Sequence, residues 1–395
     1  MQDGVAELLF ATMFPHAIVS MISLAPPIMA AAVVATYGFS PELTGLYTGL
    51  VFLFALLTTL VSAPLINRFG PLRLTAVCLV LAGIGMAVFG AAGIPGLLVG
   101  GMVIGLAYGP MTPASSHAIS SHAQSPRFSL IVSIRQTSIP IGGVLAGLCV
   151  PALVVRIGWS GACLVLAGAA GISALVFYLL SPALRRERPA RRVAGRLNVL
   201  QPIRFVLSHR TLLTLSCAST MFAAVQLVAS SFLVIYLVTA VGHDLVTAGA
   251  LMSASQAAGI LGRPLWGHVA DRVHSGRNLL CYLGFGMAAS CLLMAGLTTL
   301  GAGWASLPVA VLLGGTAGAW NGVYLAEVMR GLEPEHVGPA ISGSLIFTYL
   351  GIAFGPPVFG ALARAVDFAP AFVILAVLVS VTAGLLLLVG RTPRP

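Results

Sequence analysis

The chain has 395 residues, 58% of them hydrophobic and 8% charged, with a mean hydropathy of +1.02. Soluble domains carry about 25% charged residues, so a water-solvated surface is excluded and the composition is that of a polytopic membrane protein in a lipid bilayer. The net charge of +10 comes from 20 basic residues, all arginine, set in short loops between apolar runs, which excludes a nucleic-acid face.

A helix that crosses a bilayer needs about 20 mostly apolar residues. On that rule the chain is predicted to hold about twelve spans, near 12–37, 43–65, 74–93, 96–120, 129–154, 159–181, 211–240, 246–268, 278–299, 304–326, 339–362 and 369–390. Asp3 and Glu7 precede the first span in place of a basic stretch, so no cleaved signal peptide is expected. His16 stands near the start of that span. The loop after the second reads Asn67-Arg68-Phe69-Gly70-Pro71-Leu72-Arg73. The fourth carries Gly101, Gly105 and Gly109, small residues spaced by four that let helix backbones approach closely. The fifth opens on Arg135 and Gln136.

A long polar connection, 183–210, separates two sets of six spans and contains six arginines between Arg185 and Arg196. It is read as a topology signal that also meets anionic lipid. The division predicts an N-terminal bundle over 1–182 and a C-terminal bundle over 211–395. The eighth span encloses Arg263 and ends on Asp271-Arg272. A guanidinium in a membrane helix costs about 2.5–3.5 kcal/mol even on lenient insertion scales, so Arg263 is expected to face protein or a water-filled path. The tenth span carries Gly314, Gly318 and Gly322, then Trp320, Asn321, Tyr324 and Glu327, and so repeats the small-residue spacing of the fourth.

Arginine placement sets the orientation. One set of alternating loops holds 16 arginines, the other holds only Arg156 and Arg364, and Arg135 and Arg263 lie inside spans. The positive-inside rule then places both termini in the cytoplasm. The six cysteines, Cys78, Cys149, Cys163, Cys217, Cys281 and Cys291, form no C-x-x-C pair and fall in apolar runs, so they read as small buried hydrophobes, with neither a disulfide framework nor a metal site. The chain has no lysine, hence no P-loop lysine, and shows no H-E-x-x-H or nucleophile-elbow pattern. An enzyme is not expected, and no cofactor.

Gly267-x-x-x-Asp271-Arg272 resembles the loop signature of the major facilitator superfamily. A degraded first copy has Ala63 for the glycine and Asn67 for the aspartate, and keeps Arg68, Gly70 and Arg73. The resemblance covers the whole chain. It implies an all-α fold of about twelve transmembrane helices in two pseudo-symmetric six-helix bundles, which carries substrate by alternating access. Three stretches, Gly109-Pro110 to Ser116, Ile134-Arg135-Gln136 to Gly143, and Trp320-Asn321-Gly322-Val323-Tyr324, resemble the bacterial cyanate-permease-like group. Arg263-Pro264-x-x-Gly267 is similar to a short pattern of monocarboxylate transporters.

Both intramembrane arginines lie eight residues from a loop arginine or aspartate, which is roughly 12 Å of helix. In the fold that the chain resembles, spans five and eight face each other, so Arg135 and Arg263 are expected to be companions around one anion. The planar guanidinium fork binds a carboxylate through two parallel hydrogen bonds. Gln136, Asn321 and Tyr324 are further substrate-binding candidates. The resemblance assigns gating to Gly267, Asp271 and Arg272, with Arg68 and Arg73 in the first copy. Nearly all acidic residues belong to loops or span ends, and Glu327 and His16 are the candidates for proton coupling. The expected function is secondary transport of a small anion, such as a carboxylate or a cyanate-like ion, across a bacterial inner membrane by a monomer. The alternatives are an exporter of lipophilic compounds on the same fold and a membrane sensor that does not transport.

Overall fold

The computed structural model describes residues 2–40, 43–91, 93–120, 134–182, 184, 200–272, 276–330 and 334–389. Every regular element among them is helical. The elements are α1 (Gln2–Tyr37), α2 (Leu43–Leu60), α3 (Ser62–Phe69), α4 (Pro71–Ala91), α5 (Gly93–Tyr108), α6 (Met111–Ser120), α7 (Ser138–Leu180), α8 (Leu200–Ser208), α9 (Arg210–Tyr236), α10 (Leu245–Arg272), α11 (Gly276–Thr299), α12 (Ser306–Ala317), α13 (Asn321–Met329), α14 (Pro334–Val366) and α15 (Phe368–Val389). A lipid environment leaves helices as the only way for such apolar runs to satisfy their backbone internally, short of a closed barrel.

Eleven stretches of the described residues are long and apolar enough to cross a membrane, against about twelve predicted. The difference lies in one element. Ile134–Leu180 counts as a single stretch of 47 residues, which at 1.5 Å per residue is about 70 Å, more than twice a bilayer's apolar thickness. It is two spans joined at Gly158, whose φ of 73° and ψ of 166° are not helical. Glycine adopts that conformation without a Cβ clash. The chain reverses there. Trp159 donates from Nε1 to Thr36 Oγ1 at 3.0 Å near the end of α1. Phe177 packs with Ala11 near its beginning. The predicted sixth span and the described part of the predicted fifth, 134–154, are therefore both present, on either side of Gly158.

The chain forms two compact units, Met1–Gly38 with Leu50–Gly195, and Phe39–Gly49 with Arg196–Pro395. In unit 1, α1 and α4 pack against α7, and α4 against α5. In unit 2, α9 packs on α14, α11 on α15, and α10 on α12. Phe39–Gly49 groups with unit 2 because Gly45 and Gly49 bring their backbones against α14 at Pro356 and Pro357. A hydroxyl ladder ties α9 to α14. Ser216 donates to Ser344 Oγ at 3.0 Å, and Thr348 to Ser219 Oγ at 3.0 Å. Such interhelical hydrogen bonds replace the hydrophobic drive that lipid removes. Leu200–Ser208, within the polar connection, is the helix α8, and Pro202 and Val206 lie where α14 presents Gly343. The arginine cluster 185–199 lies outside the described residues.

The fourth and tenth spans are each broken. Span four divides into α5 and α6 at Gly109-Pro110, and span ten into α12 and α13 at Gly318-Ala319-Trp320. Four of the six cysteines are buried, whereas Cys149 and Cys217 are exposed. Their apolar surroundings in the sequence predict burial for all six. A small apolar side chain loses little on the lipid-facing side of a span, because lipid tails are as apolar as the protein interior.

Candidate substrate sites in the two units

In unit 1 the site is built on α1 and the start of the fifth span. Arg135 is 1% exposed, so it does not snorkel to the surface. Its Nη1 donates to Ser115 Oγ on α6 at 2.5 Å. Its charge reaches His16 on α1, which is fully buried. The His16 ring meets the edge of Tyr108 at 6.1 Å between centroids, and Tyr108 meets Phe52 at 5.4 Å. A Cβ on Gly142 would come within 2.7 Å of Ser20 Cβ, so α7 begins pressed against α1 one turn beyond His16. Ser138 lies one turn before Gly142. Both ring nitrogens of His16 and the hydroxyls of Ser20 and Ser138 are buried without a hydrogen-bond partner among the described residues. A buried polar atom left unpaired costs about 1–3 kcal/mol, and three neighbouring residues carry such atoms beside a guanidinium. Gln136 is half-buried next to Arg135. Ser20, Ser115 and Ser138 carry no sequence signal that separates them from serines that merely glue helices together.

In unit 2 the site is built around the break in span ten. Gln226 Oε1 on α9 accepts from Trp320 Nε1 at 3.1 Å and from Asn321 Nδ2 at 3.3 Å. Tyr324 stacks obliquely on Trp320 at 5.3 Å, and its buried hydroxyl has no hydrogen-bond partner among the described residues. The structure thus brings Asn321 and Tyr324 together with Gln226, which joins the site only through folding. Arg263 Nε donates to the carbonyl of Gly318 at 3.1 Å, where α12 ends. Trp266 Nε1, nearly one turn further along α10, donates to the Gly315 carbonyl at 2.7 Å. Arg263 therefore satisfies one of the carbonyls that a helix end leaves open, the position where a cation is favoured by the helix dipole.

The two units repeat this device. Asn67-Arg68 corresponds to Asp271-Arg272, and counting back eight residues from Asn67 and from Asp271 sets Thr59 opposite Arg263. Thr59 Oγ1 donates to the Gly109 carbonyl at the break in span four, at 2.9 Å. The internal counterpart of Arg263 is thus Thr59, and Arg135 belongs to a different element. The helix crossings match as well. A Cβ on Gly105 would collide with the Val51 carbonyl, and one on Gly314 with the Ser255 carbonyl, and Val51 and Ser255 are equivalent by the same count.

The remaining candidates sit at the loops. Arg68 is exposed and lies 5.3 Å from the Phe69 ring centroid. Arg73 is exposed, and Gly267 has open space where a Cβ would be. The side chains of Asp271 and Arg272 lie outside the described residues. Glu327 pairs with Arg330 Nε at 3.4 Å, and its Oε2 lies 2.7 Å from where a Cβ on Gly276 would stand. It thus faces the first turn of α11, a position that favours a carboxylate.

Residues 8–343 match the family model described as Major Facilitator Superfamily. The chain belongs to this superfamily. Two uncharacterized MFS-type transporters of Mycobacterium tuberculosis, from strains CDC 1551 / Oshkosh and ATCC 25618 / H37Rv, are each 26% identical over 281 residues, covering 70% of this chain and 61% of theirs. The match thus takes in less than two thirds of the length of these curated relatives. Among solved structures, a bacterial homolog of the human lysosomal transporter Spinster, inward-facing and unoccupied, has a TM-score of 0.76 at 17% identity, covering 97% of this chain and 95% of that one. The nucleoside transporter NupG has a TM-score of 0.80 at 15% identity, with 97% and 99% covered. A POT family transporter bound to a thioalcohol-conjugated peptide has 0.77 at 15%, with 98% and 96% covered. These likenesses show the fold alone. As a member of the Major Facilitator Superfamily the protein is a multi-pass membrane protein.

Proposed function

We propose that this superfamily member carries a small anion of the carboxylate or cyanate kind across a bacterial inner membrane by alternating access, with both termini cytoplasmic. The observation that carries the reading is Arg135. It is a 1%-exposed guanidinium inside a membrane span, it contacts the Ser115 hydroxyl, and its charge reaches His16, which like Ser20 and Ser138 carries buried polar atoms without a hydrogen-bond partner among the described residues. A transported carboxylate would supply the charge and the acceptors that this cluster faces. In unit 2, Arg263 is the second guanidinium candidate, with its Nε engaged at the break in span ten. Gln136 in unit 1, and Asn321 and Tyr324 in unit 2, are the further substrate-binding candidates of this reading. Asp271, Arg272 and Gly267, with Arg68 and Arg73, serve as the gate in this reading.

His16 is the titratable group in the Arg135 cluster and therefore the preferred proton carrier. Glu327 is engaged with Arg330 and the start of α11. Thermal unfolding of the purified full chain in detergent is expected to shift upward with propionate, succinate, cyanate or nitrate, because a ligand that binds only the native state stabilises it. Arg135→Gln is expected to abolish that shift. In proteoliposomes His16→Gln is expected to retain anion exchange while losing accumulation driven by a proton gradient. The reading fails if lipophilic cations such as tetraphenylphosphonium stabilise the protein and no anion does, or if Arg135→Gln leaves the anion shift intact.

A further inference from the structure

A cavity of about 20 Å³ opens beside the break in span ten, lined by Gln226, Ser230, Ser255, Gln256, Gly314 and Gly318 among others. That volume holds one water-sized group, since a single water needs roughly 10–15 Å³ of such space. Its polar lining is two amides and two hydroxyls, with no charged side chain. Ser255 is 7% exposed. Among the described residues the side chains of Ser230, Ser255 and Gln256 make no hydrogen bond to protein. Gln226 uses its carbonyl oxygen on Trp320 and Asn321, which aims its amide nitrogen elsewhere.

The other unit provides an internal control. By the count that equates Thr59 with Arg263, Ser255 and Gln256 stand where unit 1 has Val51 and Phe52. Unit 1 makes the same glycine crossing at the apolar Val51. The fold does not require polarity at these two positions, so the polarity in unit 2 serves a ligand. We infer that this cavity is a subsite for a neutral hydrogen-bonding group, a hydroxyl or carbonyl oxygen, of the transported molecule. Arg263 acts on it as a positioning residue by holding the Gly318 carbonyl, which forms part of the wall. The inference rests on the reading of the chain as a carrier of a small organic anion, and it adds that the anion carries a second, uncharged polar group.

The test compares lactate with propionate, and lactamide with propionamide, by thermal shift on the full purified chain. Lactate is expected to act at up to about tenfold lower concentration than propionate, the worth of one well-made hydrogen bond. Ser255→Ala and Gln256→Met are expected to reduce lactate to the level of propionate while leaving propionate unchanged. The unliganded melting temperature of each variant confirms that it folds. Arg135→Gln is expected to remove the response to both acids. If neither acid stabilises the protein, the anion reading has failed and the amide pair decides the cavity alone. A preference for lactamide over propionamide that Ser255→Ala removes supports it. The inference is overturned if neither pair shows a hydroxyl preference, or if the preference survives in both variants.

Discussion

A Cβ on Gly314 would collide with the carbonyl oxygen of Ser255, and backbone cannot rotate away as a side chain can. Gly314→Val is therefore expected to part α10 from α12 and to lower stability by about 1–3 kcal/mol. Gly315, the next residue, has open space where a Cβ would be. Gly315→Ala is expected to be neutral or to stabilise by up to about 1 kcal/mol, through the lower entropy cost of alanine in a helix. Thermal unfolding of the two variants side by side checks this, and equal effects would refute the steric argument. The pair shows what spacing alone conveys. The repeat of Gly101, Gly105 and Gly109 against Gly314, Gly318 and Gly322 marks close crossings. It does not say which glycine meets backbone, because that depends on the rotation of each helix.

At the level of a single helix, the entry to α10 is set by Asp244. Its Oδ1 accepts from the backbone N–H groups of Val246 and Thr247 at 2.9 and 3.0 Å, and its Oδ2 accepts from Thr247 Oγ1 at 2.5 Å. The Thr247 hydroxyl and the backbone donors hold its carboxyl below the ordinary value of 3.8. A depressed folded value means that the charge stabilises the helix above pH 3.8, and that this is lost as pH falls through the folded value. Asp244→Asn keeps an acceptor and removes the charge. It is expected to melt below the parent at pH 7 and to converge with it as pH falls, and a gap that does not narrow in acid would contradict the assignment. The Asp-Leu-Val-Thr pattern before an apolar run is a helix start that can be read without coordinates. The breaks in spans four and ten could not be read so directly. Gly109-Pro110 suggests one, but the end at Gly318 depends on Arg263 arriving from α10 to satisfy a carbonyl.

For the molecule as a whole, the proposed orientation rests on 16 arginines in one set of loops against Arg156 and Arg364 in the other. Trp304, 87% exposed after α11, belongs to the arginine-poor side. Ser208, exposed at the end of α8, belongs to the arginine-rich side. A membrane-impermeant maleimide is expected to label Trp304→Cys in intact cells and Ser208→Cys only after permeabilisation, and the opposite pattern would invert the topology. The span count and the superfamily signature were legible in one dimension. Lipid imposes length and apolarity on every crossing segment, and those are local properties of the chain. Which polar groups are buried together is not local. Arg135 with Ser115 and His16, Gln226 with Trp320 and Asn321, and Ser255 with Gln256 beside a cavity come from different spans. Depth along a helix is readable from spacing, and it puts Arg135 and Arg263 at a similar distance from a loop. Only the packing of helices around each gave Arg135 a buried polar cluster and Arg263 the end of a broken helix.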